Sequence, residues 1–138
     1  MTVARLMMLF TLGILPPNLY LIELCHVFDV DPDLATLTWK YESGYGKDVY
    51  GDWDEPTGQF LAHGPFQFHP GTWEWLVEQY IDEYGGDPAW KELENRHRFD
   101  LAALIFCYGV SSFPASGRDL RFATKSFEFR LTPRTTDQ

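Results

Sequence analysis

Residues 31–44 read Asp31-Pro32-Asp33-Leu34-Ala35-Thr36-Leu37-Thr38-Trp39-Lys40-Tyr41-Glu42-Ser43-Gly44, and this stretch decides the fold. Asp31 offers a side-chain oxygen to a first helical turn. Pro32 fits the first helical position, and Asp33 falls at the positive end of the helix dipole. Leu34, Leu37 and Tyr41 recur at helical spacing, and Gly44 supplies a natural C-cap. The pattern predicts a helix that starts at Asp31 and stops at Gly44. Glu42 lies in its last turn, on the face of Ala35, Thr38 and Trp39. A carboxylate placed there meets the negative end of the dipole and sits among aromatics. Both effects oppose ionisation and predict the raised pKa that a general acid near neutrality requires. The plain alternative is a glutamate exposed at a helix end.

Toward the N-terminus, Pro16-Pro17 breaks the chain and Asn18 can cap a short apolar helix from Leu19 to Phe28. Toward the C-terminus, glycine and proline punctuate the segment from Gly44 to Gly71, which has no helical period. It reads as a long loop or a pair of short strands, and a loop of that length in a small domain is usually functional. A third helix opens at Gly71 or Thr72. Trp73, Leu76, Val77, Tyr80, Ile81 and Tyr84 form its apolar stripe, Glu74, Glu78, Asp82 and Glu83 point outward, and Gly85-Gly86 ends it. Asp87-Pro88 repeats the start signal for a short helix to about Glu94. Asn95 can cap a last helix on which Phe99, Ala102, Ala103 and Phe106 share a face. Leu101 to Tyr108 is apolar or aromatic throughout, which predicts the buried centre of the domain, closed by Gly109. Phe127, Phe129 and Leu131 alternate with Glu128 and Arg130, a weak edge-strand signal. The fold class is mainly α, a single domain with an irregular loop or short β-hairpin insertion.

The length of 138 residues supports one compact domain. Its body is assigned to residues 18–113. The stretch from Leu6 to Leu15 is apolar and too short to span a bilayer. Only Arg5 precedes it and no A-x-A site follows, so residues 1–17 read either as a signal peptide or as an apolar segment packed on the domain. No other segment approaches transmembrane length. Residues 1–95 hold 16 acids against 4 Lys and Arg, a net of −12, and residues 96–138 hold 4 acids against 7 Lys and Arg, a net of +3. The overall charge of −9 argues against a basic nucleic-acid binder. The basic tail, residues 114–138, is expected to dock on the acidic body or stay flexible. The segment from Arg96 on could otherwise touch an anionic surface such as a cell-wall polymer.

Cys25 and Cys107 lie in apolar stretches without zinc-site spacing. They read as small buried hydrophobes, or as a pair if the protein is exported. His63 and His69 flank a loop without a helical ligand pair, so neither a metal nor another cofactor is assigned.

The segment His63-Gly64-Pro65-Phe66-Gln67-Phe68-His69-Pro70-Gly71-Thr72-Trp73 carries a second signal. Taken with Glu42-Ser43-Gly44 and Gly51-Asp52, it resembles the lysozyme-like lytic transglycosylases. Their pattern is E-S-G, a variable loop, G-L-x-Q, and a helix opening on T-A or T-W. The resemblance covers residues 28 to 85, with weaker similarity to 110. It implies a lysozyme-like fold and cleavage of the β-1,4 bond between N-acetylmuramic acid and N-acetylglucosamine in peptidoglycan glycan strands. One glutamate protonates the leaving oxygen, then takes the proton of the C6 hydroxyl as a 1,6-anhydro ring closes. No second carboxylate is needed, unlike ordinary glycosidases. Glu42 matches that residue. Ser43 matches a serine that hydrogen-bonds near it, and Gln67 a glutamine on the cleft floor whose amide serves an N-acetyl group.

The chain departs from the pattern at Pro65, which replaces the leucine, and in a longer loop from Gly51 to Gly64 that holds Trp53, Asp54, Glu55 and Gln59. The family's later A-Y-N segment has Cys107-Tyr108-Gly109 as its nearest counterpart, which makes Tyr108 the candidate for the tyrosine that steadies the acid. Phe66, Phe68 and Trp53 are expected near the cleft and Trp73 in the core. Asp52 reads as a turn residue, or as a second carboxylate that positions a water, which keeps a lysozyme-type hydrolase open. A non-catalytic cell-wall-binding or virion structural domain is the alternative from another class. The enzyme reading implies a place in the cell envelope or outside the cell, secreted or phage-borne.

Overall fold

The structure, a computed structural model, describes residues 1–113. The strand expected around Phe127 to Leu131 and the basic tail lie outside the described residues. Five α-helices and one two-stranded antiparallel sheet make up the described body: α1 (Val3–Thr11), α2 (Pro17–Phe28), α3 (Pro32–Ser43), β1 (Tyr50–Asp54), β2 (Gln59–His63), α4 (Pro70–Tyr84) and α5 (Phe99–Ser112). Two 3₁₀ turns, Pro88–Lys91 and Leu93–His97, join α4 to α5. No helix among the described residues is long and apolar enough to cross a membrane.

The helix that ends in Glu42 forms for the reasons its sequence gives. Asp31 accepts the Asp33 N–H at 2.9 Å, Pro32 opens the first turn, and Gly44 closes the last one in the left-handed region at φ 57°. Other boundaries differ from expectation. Pro16 rather than Asn18 precedes the first turn of α2, because a proline at the first helical position lacks only an N–H that would have no partner there. α4 begins at Pro70 for the same reason. The Asp87-Pro88 start yields 3₁₀ turns in place of an α-helix. Asn95 does not cap α5. Its amide donates to the Ala89 carbonyl at 2.8 Å and ties the two 3₁₀ turns together, while Arg98 stands at the helix boundary. Gly109 does not close α5, which runs on to Ser112.

α5 is the centre of the domain. Every residue from Leu101 to Val110 is buried, and α2, α4 and α1 pack around it. Burying each large apolar side chain of this kind contributes roughly 1.5–3 kcal/mol. The N-terminal segment shares the same core: Leu6 of α1 is fully buried, and the Phe10 ring lies 4.8 Å from Tyr20 and 5.7 Å from Phe99. Two polar groups inside this core bond to backbone carbonyls. The Tyr20 hydroxyl donates to the Asp100 carbonyl at 2.8 Å, and the Trp73 indole N–H donates to the Trp90 carbonyl at 3.0 Å. Cys25 and Cys107 are both buried and unbonded, with their sulfurs 3.9 Å apart across α2 and α5.

Two aromatics expected at a cleft are core residues instead. Phe66 is fully buried and stacks on Phe106 at 4.8 Å. Phe68 is fully buried against Trp73 at 5.1 Å. Neither presents a ring face to a sugar, because the segment that carries them dives between α4 and α5 to seal the end of the core. Trp53 remains half-exposed on β1.

Candidate active site

The end of α3, the turn from Gly64 to Gln67, the β1–β2 hairpin and the start of α4 meet through side chains that bond or touch in sequence. Glu42 stands in the last turn of α3 with only 8% of its surface exposed. That removes the reading of a solvated glutamate at a helix end. The next residue, Ser43, is 2% exposed. Its hydroxyl donates to the Pro65 carbonyl at 2.8 Å and accepts the Gly46 N–H at 2.8 Å. The Trp39 carbonyl lies farther from it, at 3.2 Å. Ser43 therefore fastens the helix end to the turn, and its burial leaves it a clamp rather than a group that touches substrate.

Two residues past Pro65, Gln67 adopts a left-handed backbone at φ 56° and is 2% exposed. Its amide nitrogen donates to the Gly64 carbonyl at 3.0 Å. The amide is turned inward, where a Cβ on Gly51 would collide with its Oε1. Gln67, expected on the cleft floor with its amide serving an N-acetyl group, thus forms the seat on which β1 rests. The glycine at position 51 is what lets the strand approach so closely.

Asp52 follows Gly51 and is also left-handed at φ 56°, inside β1 rather than in a turn. Asp tolerates this conformation better than most residues. Its half-exposed carboxylate oxygen lies 2.7 Å from His69 Nε2. This is an ion-pair distance outside the angular range of a hydrogen bond. His69 precedes the first residue of α4, so the pair joins the hairpin to that helix. Two non-glycine residues in the left-handed region within one small site are a concentration of strain of the kind that marks functional sites.

Tyr108 is not part of this group. It is 2% exposed, and its hydroxyl donates to Glu83 Oε1 at 3.2 Å, at the C-terminal end of α4. Burial and then this carboxylate push the phenol pKa up to about 12. Phe28, Tyr80 and Tyr84 surround its ring edge-on. The position of Tyr108 on α5 turns it toward α4, so it does not steady Glu42 as expected.

Arg96, read from sequence as the first residue of a basic segment, is buried at 4% exposure. Its guanidinium donates to the Leu61 and Phe68 carbonyls at 3.0 and 2.9 Å, and its Nε to the Leu93 carbonyl at 2.9 Å. It holds β2 and the segment after Gln67 to the second 3₁₀ turn. Arg98 is likewise engaged, in a 2.7 Å ion pair with Asp100. Neither the burial of Arg96 nor the placement of His69 against Asp52 had a sequence signal beyond the residue types themselves. Among the described residues, no three His, Cys, Asp or Glu side chains cluster to hold a metal.

No protein-family model, curated protein or solved structure matches the chain. The functional reading therefore rests on the residues of this site.

Proposed function

We propose that the chain is a lysozyme-like lytic transglycosylase that cleaves the β-1,4 bond between N-acetylmuramic acid and N-acetylglucosamine in peptidoglycan. The observation that carries the reading is the burial of Glu42 in the last turn of α3, with its neighbour Ser43 bonded to the turn that holds Gln67. A carboxyl group in the last turn of a helix with 8% of its surface exposed is placed to act as a positioned acid and base. A protonated Glu42 gives its proton to the glycosidic oxygen as the C1–O bond breaks. The resulting carboxylate then accepts the proton of the muramic C6 hydroxyl as that oxygen bonds to C1. The products are a free N-acetylglucosamine hydroxyl and a 1,6-anhydro ring, and Glu42 ends protonated as it began. One carboxyl group serves both steps.

A hydrolase of the same fold is the second reading, favoured by Asp52. Its half-exposed carboxylate, held near His69, is a group that can orient a water. Mass spectrometry of muropeptides released from purified peptidoglycan separates the two: 1,6-anhydro ends mark the transglycosylase and reducing ends the hydrolase. The Glu42→Gln variant should release neither. Equal inertness of the wild type and the variant would remove the enzymatic reading and leave a wall-binding or virion structural domain. On the enzymatic reading the protein works in the cell envelope or outside the cell, secreted or phage-borne.

A further inference from the structure

On the far side of the hairpin from Gln67, two imidazoles meet. His63 Nε2 lies 2.9 Å from the Phe60 carbonyl oxygen. A carbonyl only accepts, so Nε2 carries the hydrogen, and Nδ1 of the neutral ring is a bare acceptor. That Nδ1 lies 3.1 Å from His97 Nε2, which must then be the donor. Tyr50 of β1 closes the cluster, with ring centroids 5.0 Å from His63 and 5.3 Å from His97. The charged group acting on both imidazoles is Arg96, fixed on the Leu61 and Phe68 carbonyls.

We infer that His63 and His97 form a proton-sensitive latch that holds the β1–β2 hairpin to the second 3₁₀ turn and releases it in acid. A proton added to His63 Nδ1 sets one N–H against another across the 3.1 Å contact. A proton added to His97 keeps that contact but places a second cation beside Arg96. Burial first and Arg96 next lower the pKa of His63. Burial, then His63 and Arg96, lower that of His97. The latched form thus binds fewer protons than the released form. Its stability is fully present above the ordinary imidazole value of about 6.5 and is lost as pH falls through that value toward the depressed ones.

The latch bears on the candidate site whatever reaction occurs there. The His63 backbone exchanges two hydrogen bonds with Phe68, each 3.2 Å, and the Gly64 N–H donates to the Val49 carbonyl at 2.8 Å. Release of His63 therefore loosens the Gly64 and Phe68 backbone bonds on either side of Gln67, while Ser43 and Arg96 keep their own hold on the segment.

Amide hydrogen exchange on the full chain, corrected for intrinsic rates, tests the latch. Between about pH 7.5 and about pH 5.0, protection of the Gly64 and Phe68 amides should fall severalfold, the direction that imidazoles with lowered pKa values require. Amides in the middle of α5 should not respond. The double variant His63→Gln, His97→Gln should lose the pH response at Gly64 and Phe68. Should that variant fail to fold, NMR titration of the two wild-type imidazoles decides, with both midpoints expected below about 6.5. Equal protection at the two pH values, an undiminished response in a folded double variant, or a midpoint above the ordinary value would overturn the inference.

Discussion

The Ser43 hydroxyl and the Pro65 carbonyl oxygen lie 2.8 Å apart, and this one bond joins the end of the helix bearing Glu42 to the turn bearing Gln67. The same hydroxyl accepts the Gly46 N–H, so Ser43→Ala strands both a carbonyl and an N–H. Loss of a buried partner of this kind costs about 1–3 kcal/mol. Urea denaturation should show a lower midpoint with an unchanged slope. A Ser43→Ala midpoint equal to that of the wild type would show that the bond holds nothing.

Gly51 and Gln67 form a second coupled pair. A Cβ at position 51 collides with Gln67 Oε1, and Gln67 is too buried to swing aside. Gly51→Ala should destabilise the protein by about 1–3 kcal/mol through overpacking. Shortening the obstructing side chain with Gln67→Ala should recover part of that loss. A double-mutant cycle reads the recovery as a coupling energy of at least about 0.5 kcal/mol. Strict additivity would mean that the two side chains do not meet.

Glu42→Gln keeps the shape of the side chain and removes its ability to carry charge. Its thermal midpoint should stay close to that of the wild type, because the amide fills the same volume. If the chain cleaves peptidoglycan as proposed, release of muropeptides should fall at least about a hundredfold, the low end of what a positioned acid contributes. A variant that melts far below the wild type would instead make Glu42 a structural residue.

Cys25 and Cys107 touch in the core without bonding. Burial first, then the neighbouring sulfur, pushes the Cys107 thiol well above its ordinary range. A thiol-specific reagent should therefore label neither cysteine in the native protein at neutral pH, and both once the chain is unfolded in urea. Rapid native labelling of either would contradict their sealed position.

Much of the helical framework was legible because its signals are local. Asp31, Pro32 and Gly44 punctuate α3, and the stripe from Trp73 to Tyr84 gives α4, without reference to anything distant. The errors came where a distant partner decides. Asn95 looks like a helix cap, but the Ala89 carbonyl takes its amide. Gly109 looks like a stop, but packing on all sides carries α5 past it. In the candidate site, position within α3 marked out Glu42, whose burial the structure adds. Phe66, Phe68 and Tyr108 were misplaced because an aromatic ring reads alike whether it faces a cleft or a core. Which way it faces depends on the path of the chain between α4 and α5. His63 and His97 stand 34 residues apart, a separation over which sequence carries no sign of contact.

The burial of α5 has a consequence for how the protein is made. The Tyr20 hydroxyl finds the Asp100 carbonyl 80 residues later, and Cys25 finds Cys107 across 82 residues. On a ribosome, α1 to α4 emerge with their apolar faces uncovered and wait for the helix they enclose. Closing such long loops is slow, and the exposed surface is prone to association in the interval. The domain completes itself only once its last described helix leaves the exit tunnel, so a nascent chain arrested ahead of Phe99 should remain open to protease along its whole length.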